Sequence, residues 1–201
     1  MNPRVLYRSA VRALASIFEA AGRELPPALA DWEDRLDSWC DEYRDGAGSG
    51  GADAEIVEVT LGFAVYLFDL TLERVVVAYG LSQPPATARD ASRMRGFPDV
   101  GRSFAARLGP DAPAADKGHF LAHAAGGELD MNLFPQRRDL NRGWSEEGKL
   151  YRRMERQIAG RPGTFHYHRP LYADEGWVPW RLELGVLLDD RDWWVERFAN
   201  R

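Results

Sequence analysis

DKGHFLAHAAGGELDMNLFPQRRDLNRGW, residues 116–144, holds the densest collection of reactive polar side chains in the sequence. Gly118 and the run AAGG at 124–127 argue for strand and loop, not helix, around the histidines. His119 closes the short run DKGH, and an imidazole, with an ordinary pKa near ~6.5, takes a proton from water around neutral pH. Asn141 places a neutral carbonyl oxygen just before a helix, the kind of ligand Mg²⁺ accepts while keeping most of its waters. Arg137, Arg138 and Arg142 surround that asparagine, and guanidinium forks match phosphate oxygens bidentately. A base, a ligand for a hard cation and fixed positive charges are what displacement at a phosphodiester requires.

Downstream, SEEGKLYRRMERQIA at 145–159 reads as a helix. Ser145 is its N-cap, Glu146 and Glu147 suit its positive end, Leu150, Met154 and Ile158 share a stripe, and GRPG at 160–163 ends it. Three strand-like runs follow, TFHYHRPLY, WRLELGVLL and WWVERF, the last two joined by the turn LDDRD. Upstream, residues 55–81 are β-branched and aromatic with partial alternation, which predicts two or three strands turning near Asp69 to Glu73. A loop rich in Pro and Arg is expected over about 82–115, long enough to line a site.

The first part of the chain reads differently. Helical spacing is expected over residues 3–22 and 27–44, the second with the stripe Leu29, Trp32, Leu36, Trp39, Tyr43. Residues 46–54, rich in Gly and Ser, read as a flexible linker. The expected organisation is an N-terminal helical region at 1–45, that linker, and an α+β domain at 55–201 with a mostly antiparallel sheet.

Bulk properties agree with a folded domain. The 201 residues include 45% hydrophobic and 28% charged side chains, enough apolar surface for one full core. Cys40 is the only cysteine, so no disulfide framework or paired-cysteine metal knuckle is available, and a half-buried place on a helix is expected for it. Arg4, Arg8 and Arg12 interrupt the apolar positions of the N-terminus and no run reaches membrane-spanning length, which predicts synthesis in the cytoplasm, no membrane partner, and export only by a route without a signal peptide. The net charge of −5 hides an uneven distribution. Residues 137–169 carry nine basic against four acidic side chains, whereas residues 1–60 carry six against twelve. A positive stretch of that kind follows a phosphate backbone even within an acidic protein.

The elements DKGH at 116–119, NLFPQ at 132–136 and LNRG at 140–143 occur in the order and with the spacing that resemble the DNA/RNA non-specific endonucleases, whose signature is DRGH, a strand carrying N-x-x-PQ, and LN at a helix start. The likeness is specific over 116–155 and loose over 56–200. It implies the ββα-metal, or His-Me finger, arrangement with His119 as general base, Asn141 as direct ligand of Mg²⁺ (or Mn²⁺), and Asn132 and Gln136 supporting the histidine and its loop. It also implies DNA or RNA as substrate. A non-specific nuclease would threaten its own cell, so export, an inhibitor or immunity protein, or conditional activation is expected with it, and a toxin or defence role is the hypothesis that follows.

Two departures matter. Lys117 stands where the family has arginine, keeping the charge without the fork for phosphate. The family's helical glutamate would fall on Lys149, while Glu155 lies fourteen residues beyond Asn141. Along one continuous helix that is about 21 Å, too far to share a metal shell. Either the helix begins later and WSEEGK at 144–149 folds back, leaving the role to Glu155, or Glu147 takes it.

Plainer readings stand beside these. Asn141, taken alone, also reads as a helix cap. His123, four residues after His119, is expected not to be a ligand. His166 and His168 alternate on one strand and are expected to face solvent, against the alternative of a four-histidine zinc hydrolase. A catalytically inactive nucleic-acid- or protein-binding module is the other competing function.

Overall fold

The computed structural model describes residues 10–46, 54–85, 99–127 and 130–201. In chain order the elements are α1 (Ala10–Ala20), α2 (Trp32–Asp45), β1 (Ile56–Leu61), β2 (Ala64–Asp69), β3 (Arg74–Leu81) and α3 (Val100–Leu108). There follow β4 (Ala115–His119), β5 (Leu133–Arg137), α4 (Arg138–Arg142), α5 (Glu146–Gly160), β6 (Phe165–Leu171), β7 (Arg181–Leu188) and β8 (Asp192–Ala199).

Six strands form one sheet in the order β1-β2-β3-β6-β7-β8, every neighbour antiparallel, and β4 pairs with β5 in a separate antiparallel hairpin. The fold is therefore α+β with a mostly antiparallel sheet, as the alternating apolar runs predict. Residues 55–81 supply three strands, because Gly62 turns the chain with a positive φ of 59° between β1 and β2. The Asp-rich turn before β8 is real: Asp189 and Asp190 both adopt positive φ, at 48° and 61°.

Both faces of the sheet are covered. Val65, Leu67, Tyr79, Phe165 and Tyr167 pack against α1 and α2. Trp32 of α2 lies at the centre of that layer, with the rings of Tyr79, Phe165, Tyr167 and Trp193 at centroid distances of 5.4, 4.9, 5.5 and 5.8 Å. The helical region thus closes one face of the sheet and shares its core; large apolar side chains on both partners require that closure. Cys40 is fully buried there, not half-buried. Residues 3–9 of the expected first helix and 47–53 of the linker lie outside the described residues.

The opposite face, with Tyr66, Val75, Ala78, Leu182, Leu184 and Val186, packs against Phe120, Phe134, Leu140, Tyr151, Met154 and Ile158. All of this second layer is inserted between adjacent strands β3 and β6. The insertion leaves and returns at one neck: Ser82 N donates to Thr164 O at 2.9 Å and Gly163 N to Ser82 O at 2.7 Å. Within the stretch expected as loop, residues 99–108 form α3 behind the cap Asp99, whose carboxylate accepts from Arg102 N at 3.0 Å; residues 86–98 lie outside the described residues. Among the described residues no helix is long and apolar enough to cross a membrane.

Candidate active site

The site is built on the β4–β5 hairpin. In its register His119 pairs with Leu133, Gly118 with Phe134, and Asp116 with Gln136. Gly118 carries no side chain for a steric reason: a Cβ there would meet Gln136 Oε1 at 2.4 Å and its Cβ at 2.7 Å. The buried Gln136 amide occupies the space beneath the strand end and so sets how closely β4 and β5 approach.

His119 ends β4 and is 8% exposed. The chain beyond it is held by Asn132, which is fully buried. The Asn132 side chain accepts from Leu121 N at 2.7 Å and donates to Leu121 O at 2.8 Å, while its backbone O accepts from Phe120 N at 2.9 Å. Both ends of that amide are spent on the loop that follows His119. His123 lies in a short 3-10 turn, its ring centroid 6.4 Å from that of His119.

Asn141 sits in α4, directly after the hairpin. It is not a cap: Ser145 caps the next helix, its Oγ accepting from Gly148 N at 3.0 Å. The half-buried Asn141 amide makes no hydrogen bond to another described residue. Gly143, with φ of 73°, ends α4 in the left-handed conformation, and the chain folds back so that Gly143 and Leu140 come against Gly148 and Gly143 against Arg152. The fourteen residues from Asn141 to Glu155 therefore do not run along one helix. Glu155 is 8% exposed on α5 and paired with Arg152 Nη1 at 2.5 Å.

The arginines divide. Arg138 Nε donates to Asp116 Oδ1 at 2.9 Å; Arg142 Nε and Nη2 donate to Asp116 Oδ2 and Oδ1 at 2.6 and 3.1 Å. Burial by itself would raise the Asp116 pKa, but the bonds from Arg142 and Arg138 outweigh it and hold the carboxyl below its ordinary value. The side chains of Arg138 and Arg142 remain 40% and 47% exposed, fixed yet open to solvent. Arg137, expected on phosphate, is instead a structural pin: its side chain is 12% exposed and donates to Asp139 at 2.6 Å and Glu147 at 2.8 Å. Its desolvation is offset by those two carboxylates, which leave its pKa raised. Glu147, the alternative to Glu155, holds Arg137 with one oxygen and accepts from Ala199 N with the other. Lys117 is half-buried on β4 opposite Pro135.

Beneath the hairpin lies a polar layer that periodicity alone did not locate. His166 and His168, expected to face solvent, are 2% and 1% exposed, because β6 has both faces covered. His168 Nε2 is 3.3 Å from the hydroxyl of the buried Tyr151, and His166 Nδ1 is 3.3 Å from Thr164 O. Burial lowers their pKa values to about 3 and about 4. Among the described residues no three of His, Cys, Asp and Glu converge as a metal-ligand group, so the four-histidine zinc arrangement is not formed.

Sequence reading missed Asp116 as the anchor of Arg138 and Arg142, although its period-two relation to Gly118 on β4 was available. It also missed Tyr151 as the partner of His168, which no local spacing reveals.

No protein-family model matches the chain, and no curated protein matches it. Among solved structures, a chain of an EndoG/EndoGI complex is similar over 81% of this chain and 80% of its own, with 14% identity and a TM-score of 0.41. An extracellular endonuclease is similar over 75% of this chain and 80% of its own, with 17% identity and a TM-score of 0.44.

Proposed function

We propose that the protein is a metal-dependent endonuclease that hydrolyses phosphodiester bonds of DNA or RNA without sequence preference. One observation carries the reading: β4 of the hairpin ends in His119, and its partner β5 runs directly into α4, which holds the Asn141 side-chain amide without a hydrogen-bond partner among the described residues. A partly exposed amide oxygen that is not committed to another residue is open to a ligand.

The donor set fits a hard cation. Asn141 offers one neutral oxygen and Glu155 one buried carboxylate, which matches the few protein ligands that Mg²⁺ or Mn²⁺ takes when it keeps most of its waters. When bound, the ion neutralises charge on the phosphate and the leaving oxygen. His119 takes the proton from the attacking water at a ring nitrogen, and the Asn132 clamp on Leu121 fixes the loop that follows it. Arg138 and Arg142, oriented by Asp116, hold non-bridging phosphate oxygens. Contacts of that kind go to the backbone, which is why no sequence preference is expected. Such an activity endangers the cell that makes it, so an inhibitor or immunity protein, or export, belongs with this reading.

The test is cleavage of supercoiled plasmid and total RNA by the purified protein in Mg²⁺ and Mn²⁺, with and without EDTA. Cleavage abolished by EDTA is the expected result. A folded protein that cuts neither substrate with either ion contradicts the proposal and leaves a binding module.

A further inference from the structure

Trp144 is the most exposed large apolar side chain among the described residues, at 64%. Its main chain is nonetheless fixed. The backbone N–H of Trp144 donates to Asp139 O at 2.8 Å, and the preceding Gly143 is locked in its left-handed turn. The Arg142 guanidinium lies 5.0 Å from the indole ring, and Arg142 is itself held by two bonds to Asp116. An indole left in water gains nothing from the fold, yet this one is braced on one face by a cation. It stands three residues after Asn141, at the start of a helix whose Lys149, Arg152, Arg153 and Arg156 are all exposed.

A cation for phosphate beside a rigid aromatic plane is the chemistry that recognises one nucleotide at both ends. Bases inside a duplex are already stacked on their neighbours, so an indole on a loop reaches only an unpaired one. We propose that Trp144 stacks on an unpaired nucleobase of a strand whose phosphates lie along Arg138 and Arg142, and that the site therefore favours single-stranded over duplex nucleic acid. This inference rests on the nuclease reading of the same site and adds its substrate class.

The test uses fluorescence anisotropy with a labelled single-stranded DNA oligonucleotide, the same strand with abasic sites, and the duplex. The full chain carries His119→Ala to prevent cleavage, with and without Trp144→Ala or Trp144→Phe, and circular dichroism checks the fold. Trp144→Ala is expected to weaken binding of the intact single strand by about 5- to 150-fold, the range for loss of one stacked base. Trp144→Phe, which keeps a ring, should retain most of the affinity, and duplex and abasic strands should change by less than about twofold by the same reasoning. An equal loss on intact and abasic strands, or no loss on any, overturns the inference. Unchanged strand binding by Trp144→Ala in a protein whose wild type cuts plasmid removes this inference and leaves the nuclease reading standing. Base-dependent binding through Trp144 in a protein that cuts nothing does the reverse.

Discussion

Gly118 has no room for a side chain, and that is a statement about Gln136 more than about β4. A methyl group there overlaps the Gln136 Oε1 position at 2.4 Å, and the amide cannot swing away because it is buried at 0% exposure. Gly118→Ala should cost about 1–3 kcal/mol, the usual penalty of overpacking, and should reduce cleavage by shifting His119, one residue on. Chemical denaturation and plasmid nicking check the two effects; wild-type stability in Gly118→Ala would show that the hairpin tolerates a wider spacing. Asn132 makes a second residue-scale case. Asn132→Ala strips partners from the buried N–H and C=O of Leu121 together, a loss of about 2–4 kcal/mol by the cost of two orphaned groups. Asn132→Asp keeps the acceptor and loses the donor, so it should fall between, and equal loss by both variants would contradict the division of labour.

At the scale of elements, the decisive feature is the break between α4 and α5. A single continuous helix would hold Glu155 far from Asn141; Gly143 and the cap at Ser145 fold the chain back on itself. Ser145→Ala is expected to cost about 1 kcal/mol as a lost cap, read by thermal or urea unfolding, and no change would mean that the Gly143 turn alone sets the helix start. The boundaries of α5 and the strands of the sheet were legible in sequence because caps, turns and alternation are local. Asp99 with Val100, Phe104 and Leu108 carried the same kind of signal for α3, and the proline- and arginine-rich surroundings obscured it. The placement of the candidate site was legible in part: DKGH, NLFPQ and LNRG put His119 at the end of β4, Asn132 before β5 and Asn141 in α4, because each motif is short-range in sequence. The fates of Arg137 and Glu147 were not: Arg137 is held by Asp139 and, across the fold-back at Gly143, by Glu147, and Glu147 also accepts from Ala199 N on β8, distant in sequence. An arginine's charge is visible in sequence; whether a carboxylate already holds it is not.

For the molecule as a whole, a sheet covered on both faces explains why its β6 histidines are buried and why the N-terminal helices matter to stability. Trp32→Ala removes the ring at the centre of the helical layer and should cost about 3–5 kcal/mol. The two histidines make stability pH-dependent. An unfolded histidine binds a proton below about pH 6.5, whereas folded His166 and His168, desolvated by burial, do so only below about 4 and about 3. Between those limits the unfolded chain takes up more protons, so stability is fully present above pH 6.5 and falls as pH drops, by roughly 1.4 kcal/mol per unit for each histidine. Urea unfolding at pH 7.5 and pH 5 measures this, and His166→Gln should roughly halve the difference, leaving the part due to His168. Equal stability of the wild type at the two values would mean that both rings are hydrated in solution.

The proposed roles of His119 and Asn141 differ within one site, and Mn²⁺ binding read by electron paramagnetic resonance beside plasmid cleavage separates them. His119→Ala should bind Mn²⁺ as the wild type does while losing about 100- to 10,000-fold in cleavage, the range for a lost general base. Asn141→Ala should lose both. An Asn141→Ala protein that binds Mn²⁺ unchanged, or a His119→Ala protein that still cuts at the wild-type rate, would contradict the account.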